Sequence, residues 1–97
     1  MTKGQLIPAT TFCLHHEIEI SFIDALYDHG LIEVIRVEEN VFISEDQVGT
    51  LEQFVRLYYD LEINLEGIEA ITHLLERLKE KQDELLRLKN QLRMQRD

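Results

Sequence analysis

Three kinds of side chain that could bind a metal ion or act as a nucleophile lie together near the N-terminus, in the segment CLHHE. Adjacent side chains on a helix point about 100° apart, so His15 and His16 would chelate a single ion poorly. Cys13 is the only cysteine, which excludes an internal disulfide and a multi-thiolate metal site. We therefore expect Cys13 to be a small buried apolar side chain, and we predict neither a metal site nor a cofactor.

Other catalytic arrangements are not recognisable in the chain. The sequence contains no glycine-rich phosphate loop and no paired Cys/His nucleophile. Its scattered carboxylates do not by themselves specify acid–base chemistry. We therefore predict that the protein is not an enzyme.

A pair of carboxylates, Asp24 and Asp28, is spaced so that both lie on one face of a helix predicted over residues 22–29. Such a face is either a solvated surface or a binding surface for a cationic partner, and both interpretations stay open. For the acidic residues that flank this face, a solvated surface is the simpler interpretation. The candidate partner-binding residues are Ser21, Asp24, Asp28, Glu17, Glu19 and Glu33.

Charge is distributed unevenly along the 97 residues, whose net charge is −9. Residues 1–76 contain three basic and 15 acidic side chains, a net charge of −12, whereas residues 77–97 carry +3. Nucleic-acid affinity arises largely from Lys and Arg side chains that neutralise phosphates. The acidic N-terminal part should therefore repel a duplex and attract a basic protein surface.

Two features indicate the compartment in which the protein works. No apolar run approaches the roughly 18 residues of a membrane span, and the first residues lack the long apolar stretch of a secretory signal. Together with the single cysteine, these features favour a reducing, cytoplasmic compartment.

The elements that must position the acidic residues begin with two short helices. A threonine at residues 10–11 can cap a first helix that ends near His16. Ser21 can cap the second helix, and Gly30 suits the left-handed residue that ends it. Two apolar helices joined by a tight turn predict a helix-turn-helix.

A β-hairpin is predicted after the second helix. Residues 31–37 and 41–43 are rich in β-branched side chains, and Asn40 in the turn before the second strand suits a positive φ. Residues 6–9 are expected to form only an extended lead-in, because Pro8 lacks a backbone donor. A hairpin that follows a helix-turn-helix is a wing.

Two more helices are predicted beyond the wing. Ser44 and Gln47 fit a capping box at the start of the third helix. Asn64 suits the cap of a final helix that runs from Leu65 to near Gln95. Tyrosines that flank such helices usually bury their rings and keep the hydroxyl in water. We therefore expect Tyr27, Tyr58 and Tyr59 to lie in the core rather than to stack on a base or to line a ligand pocket.

The final helix carries a heptad seam that is too long for the N-terminal part to cover. Lys81 is the one polar position in this seam. The seam either forms a homodimeric coiled coil or packs back on the N-terminal part, and its length favours the dimer. The candidate dimerisation residues are Ile71, Leu74, Leu78, Leu85, Leu88 and Leu92.

The order of these elements resembles the layout of the MerR superfamily. The run YYDLEINLEGI at residues 58–68 is similar to the junction of the third and fourth helices in those proteins, and HGLI at residues 29–32 is similar to the end of their recognition helix. Over nearly its whole length, the chain resembles more closely one branch, the CbpM-type chaperone modulators. The supporting segments are EISFI (19–23), YDHGLIE (27–33), ISEDQ (43–47), RLYYDL (56–61) and INLEGI (63–68).

The resemblance implies a mainly α fold with two parts. These are a MerR-like winged helix-turn-helix head with a small β-hairpin wing, residues 1–63, and a long C-terminal coiled-coil helix, residues 64–97. CbpM-type proteins bind the J-domain of a DnaJ-like co-chaperone of the CbpA type. They inhibit its action on an Hsp70 chaperone and also its DNA-binding activity. MerR regulators carry arginines near the end of the recognition helix, where this chain has Asp24 and Asp28.

Two other functions stay open. The fold also suits a MerR-family DNA-binding transcriptional regulator that dimerises through the final helix. A pocket between the third and fourth helices could sense a small ligand, although no residue indicates which one.

Overall fold

The computed structural model describes residues 4–95 and is mainly helical. Three short strands form one antiparallel sheet of order β1-β3-β2. In chain order the elements are β1 (Leu6–Pro8), α1 (Ala9–His16), α2 (Ile20–Asp28), β2 (Ile35–Val37), β3 (Asn40–Ser44), a 3-10 turn (Glu45–Gln47), α3 (Val48–Val55), a π-helical turn (Arg56–Asp60) and α4 (Leu65–Gln95). The predicted MerR-like winged helix-turn-helix with a long C-terminal helix is therefore confirmed.

The wing contains one more strand than the sequence predicted. β2 and β3 form the expected hairpin, with Arg36 opposite Val41. The lead-in through Pro8 pairs with the other edge of β3, so that Ile7 lies opposite Ile43. Proline is tolerated there because an edge strand can leave one side of its backbone unpaired.

The turn of the helix-turn-helix is closed by backbone hydrogen bonds. Glu17 adopts a left-handed conformation with φ 58°. Its N–H donates to the carbonyl of Leu14 over 3.3 Å, and the N–H of Ile18 donates to the carbonyl of Cys13 over 3.0 Å. These two bonds form a Schellman-type helix end, which usually uses glycine at the left-handed residue.

The predicted side-chain caps of α1 and α2 are wrong, because both helices begin without a side-chain hydrogen bond to their first backbone N–H groups. Helix α1 starts directly after Pro8, and α2 starts after Glu19 rather than after Ser21; neither has a side-chain cap hydrogen bond. The predicted stop at Gly30 is confirmed by its φ of 73°. In the wing, the positive φ belongs to Glu38, at 58°, and not to Asn40, which is already the first residue of β3.

The predicted capping box before the third helix is also wrong. The hydroxyl of Ser44 donates to the carboxylate of Asp46. The amide of Gln47 instead bridges the backbone of Glu33, accepting from its N–H over 2.9 Å and donating to its carbonyl over 2.7 Å. Gln47 therefore ties the segment before the wing to the start of α3.

One apolar core joins the helix-turn-helix, the wing and the first turn of α4. Its members are Ala9, Phe12, Cys13, Phe22, Ile23, Leu26, Ile32, Ile43, Leu51, Phe54 and Ile68. Leu14, between the buried Cys13 and the half-buried His16 in sequence, is 82% exposed. The core therefore contacts one side of α1 and one side of α2, and the outer faces of both helices lie in solvent.

Helix α4 begins as predicted and then leaves the core. The Asn64 side-chain oxygen accepts the N–H of Gly67 over 2.8 Å, which confirms the predicted cap. Ile68 is fully buried, whereas residues 73–95 are all exposed. The molecule measures 60 × 35 × 21 Å as a result. The division at residues 63 and 64 stays a prediction, and residues 1–3 and 96–97 of the two predicted parts lie outside the described residues.

Candidate partner-binding surface on the helix-turn-helix

Helix α2 occupies the place of a recognition helix, and its outer face is acidic. Phe22, Ile23 and Leu26 are buried in the core. The side chains of Ser21, Asp24 and Asp28 are exposed, and their spacing of three and four residues places them on one side of the helix. We call these three residues the acidic face. Helix α2 contains no lysine or arginine, so its outer side offers no cation to a phosphate.

The flanking carboxylates lie at the edges of the acidic face. Glu17 and Glu19 are exposed at the two ends of the turn before α2. The hydroxyl of Ser21 donates a long hydrogen bond of 3.4 Å to the Glu19 carboxylate. Glu33 is exposed beyond the other end of α2, on the segment that Gln47 holds. The structure therefore places all six candidate residues in solvent on or beside the second helix.

Cys13 is buried close to this surface. It is only 6% exposed, which confirms the expected buried position. Burial raises the pKa of its thiol above the ordinary value, and the nearby carboxylate of Asp24 raises that pKa further. Both effects favour the protonated, non-nucleophilic form.

The wing directs its one basic side chain onto α2. The guanidinium carbon of Arg36 lies 5.8 Å from the centre of the Tyr27 ring, within the range of a cation–π contact. Tyr27 was expected in the core but is 44% exposed. Its outward ring receives the arginine next to the acidic face.

Two histidines connect the helix-turn-helix to later helices. Nε2 of His16 lies 3.6 Å from Oε2 of Glu52 on α3, and Nδ1 of His29 lies 3.3 Å from Oε1 of Glu69 on α4. The ring of His15 lies edge-on to that of His16, with ring centres 5.0 Å apart. Across residues 4–95, no group of three or more histidine, cysteine or acidic residues is placed to hold a metal ion.

A pocket that the sequence did not predict lies at the N-terminal end of α2. Tyr58 and Tyr59 are 38% and 41% exposed rather than buried, because a π-helical turn carries them. Both rings approach the buried Phe22, with ring centres 4.7 Å and 5.4 Å from it. In the sequence, the two adjacent tyrosines are the one indication of this pocket. An α-helical period of 3.6 residues does not predict the extra residue of a π-helical turn.

The family of the chain follows from comparison with known proteins. The sequence profile of the MerR HTH family of regulatory proteins matches residues 7–90. The chain belongs to this family. No curated protein and no solved structure gives a significant match. The match spans the helix-turn-helix, the wing and most of α4. Regulatory proteins of this family are generally non-enzymatic.

In this MerR-family chain, the predicted heptad seam lies almost entirely in solvent. Ile71 is half-buried against the head. The five leucines of the seam, at positions 74, 78, 85, 88 and 92, are each more than half exposed. Within residues 4–95, no helix is long and apolar enough to cross a membrane.

An apolar groove continues the seam onto the head of the MerR-family fold. It runs between α3 and α4 as two adjoining cavities of about 500 Å³ and 290 Å³. Leu57, Ile71 and Leu75 line both cavities. The pocket considered between the third and fourth helices therefore exists as an open, mainly apolar groove.

Proposed function

We propose that this protein is a chaperone modulator that binds the J-domain of a DnaJ-like co-chaperone of the CbpA type. Binding inhibits both the co-chaperone activity and the DNA-binding activity of that partner. The observation that carries the proposal is the chemistry of α2, whose outer side presents Asp24 and Asp28 and no basic residue. A recognition helix with this surface is suited to a cationic protein partner rather than to a phosphate backbone.

The net charge of the head and the first turns of α4 supports the same kind of partner. The net charge of −12 over residues 1–76 attracts a basic surface over a distance of about 8 Å at physiological salt. The resemblance to CbpM-type proteins implies a partner with such a surface, because a J-domain presents a basic helix beside its His-Pro-Asp motif. Covering that helix prevents the co-chaperone from docking on its Hsp70 partner in the cytoplasm.

An inhibition assay tests the proposal. We expect one equivalent of this chain to abolish the stimulation of Hsp70 ATP hydrolysis by the cognate co-chaperone, without changing the basal hydrolysis rate. Higher salt should restore stimulation, because the association is steered by charge. Undiminished stimulation at a large excess of this chain would exclude the function.

A DNA-binding transcriptional regulator is the second candidate, and the MerR-family match over residues 7–90 favours it. It requires a nanomolar complex with a specific duplex at near-physiological salt. A gel-shift survey of genomic fragments decides between the two functions. We expect no shifted fragment, because carboxylates occupy the positions that would face phosphate.

We further propose that the chain forms a homodimer through α4. The exposed leucines of the seam and the groove of Leu57 and Leu75 form one continuous apolar strip, and a second copy can cover both parts of it. Residues 77–97 carry a net charge of +3, so an antiparallel arrangement brings the positive C-terminal part of each chain toward the negative head of its partner.

A further inference from the structure

The pocket at the N-terminal end of α2 combines aromatic rings with a carboxylate. Its volume is about 420 Å³, and we call it the tyrosine pocket. Its lining residues are Glu19, Ser21, Phe22, Ala25, Tyr58, Tyr59 and Leu65. None of them is basic, and Glu19 is the only charged side chain among them.

The three rings of the tyrosine pocket face different directions. The planes of Tyr58 and Tyr59 meet at 75°, with ring centres 5.0 Å apart. Phe22 lies beneath them, tilted by 36° to one ring and by 70° to the other. Ring centres this close show that the three rings pack on one another, so an incoming cation would meet the exposed outer surfaces of Tyr58 and Tyr59.

The π-helical turn explains how consecutive tyrosines reach the same place. In this turn the N–H of Leu61 donates to the carbonyl of Arg56 over 3.0 Å, one residue further back than in an α-helix. The wider turn lets Tyr58 and Tyr59 both contact Phe22. Single π-helical turns are rare and occur frequently at functional sites.

We propose that the tyrosine pocket binds a lysine or arginine side chain of the partner polypeptide. Tyr58 and Tyr59 contact the cationic group, Glu19 pairs with it, and Ala25 and Leu65 pack against the aliphatic stem. This inference rests on the proposed function, because the pocket adjoins the acidic face and shares Ser21 with it. The strongly negative head favours a cationic occupant over a neutral one.

A small probe tests the pocket without the partner. We expect Nα-acetyl-arginine amide to shift the ring proton signals of Tyr58 and Tyr59 in a nuclear magnetic resonance titration of the full chain. The neutral isostere Nα-acetyl-citrulline amide should shift them far less, because it lacks the charge that the rings and Glu19 attract. Equal shifts with both probes, or none with either, would overturn the proposal.

Variants test the same pocket in the complex with the J-domain. We expect Tyr59→Leu and Glu19→Gln each to weaken binding about tenfold, and Tyr59→Phe to retain it, because phenylalanine keeps the ring face. Glu39→Gln, which removes an exposed charge in the wing turn, is the matched control for Glu19→Gln. Circular dichroism of each variant shows whether the fold is retained.

The outcomes separate this inference from the proposed function. Unchanged J-domain binding by folded Tyr59→Leu would refute the tyrosine pocket and leave the chaperone function standing. No J-domain binding by the unaltered chain would refute the function, while the probe titration still tests the pocket's preference for a cation. If Tyr59→Leu weakens only self-association, or if spermidine binds the pocket more tightly than the arginine probe, the assigned occupant is wrong.

Discussion

At the scale of single residues, the acidic face affects the buried thiol of Cys13. Asp24 is exposed, yet its charge contributes to the raised pKa of Cys13 in the core. Burial is the larger cause and Asp24 the smaller one. A thiol held in its neutral form is a packing group, which explains why the only cysteine does not mark a reactive site.

We predict that Cys13 reacts slowly with iodoacetamide in the native protein at about pH 8. Denaturation should accelerate alkylation strongly, because the unfolded thiol has its ordinary pKa and is accessible. Asp24→Asn should raise the native rate only slightly, since burial is retained. Mass spectrometry of quenched samples measures both rates, and equal native and denatured rates would contradict the buried, protonated thiol.

The same shift predicts a loss of stability at alkaline pH. The folded pKa of Cys13 lies above the unfolded one, so in that pH interval the unfolded chain releases a proton that the native chain retains. The free energy of unfolding should therefore decrease as pH rises above the ordinary thiol pKa. Urea titrations of Cys13→Ala should lack this part of the decrease, and an identical pH profile for both chains would refute the shift.

At the scale of elements, left-handed glutamates end several segments of the head. Glu17, Glu38 and Glu62 all have φ between 56° and 58°. A residue with a Cβ in this conformation costs roughly 1–2 kcal/mol relative to the right-handed one. In the wing, the positive φ occurs at the first of two residues between β2 and β3, a position that favours glycine.

We predict that Glu38→Gly stabilises the protein by about 0.5–1 kcal/mol, because glycine adopts the left-handed conformation without strain. Glu39→Gly is the matched control: it removes the same charge in the same turn, but its φ is not positive. Urea unfolding measures both variants. If Glu38→Gly destabilises the chain as much as the control does, the wing turn differs from the structure.

The elements show which parts of the fold are accessible to sequence reasoning. The two short helices, the hairpin, the Asn64 cap and the bounds of α4 follow from periodicity and from turn residues. The strand at Leu6–Pro8 was missed because its pairing with β3 is a long-range contact that no local pattern encodes. The π-helical turn was missed because its extra residue breaks the α-helical period, and the tyrosine pocket was missed with it.

The candidate partner-binding surface could be predicted from the sequence only in part. The spacing of Ser21, Asp24 and Asp28 was sufficient to place them together in solvent, since helical geometry alone determines their common side. The position of Arg36 over Tyr27 depends on how the wing folds back onto α2, which is a tertiary contact. Sequence reasoning therefore anticipated the acidic face but not its neighbours.

At the scale of the whole molecule, α4 carries a row of leucines that are each more than half exposed. Its leucines extend far beyond Ile68, the residue of α4 that is buried in the core. Lys81 interrupts the seam and pairs with Glu84, at 3.6 Å along the same helix. A polar residue at such a position lowers coiled-coil stability while it fixes the register.

We predict that Lys81→Leu strengthens the homodimer by about tenfold or more, because it buries one additional leucine in the seam. Arg87→Leu, which adds the same side chain outside the seam, should leave the dissociation constant nearly unchanged. Sedimentation equilibrium measures both variants. A monomer at all concentrations for the unaltered chain and for Lys81→Leu would exclude the coiled-coil dimer.

The central claim is that a DNA-binding scaffold here presents carboxylates to a cationic polypeptide. Calorimetric titration of the cognate J-domain into Asp24→Lys/Asp28→Lys tests it most directly. Glu39→Lys/Glu45→Lys is the control, because it changes the net charge equally at exposed residues outside the acidic face. We expect the first variant to lose about a hundredfold in affinity and the control to lose only a few-fold. Equal losses in both variants, or none in the first, would contradict the account.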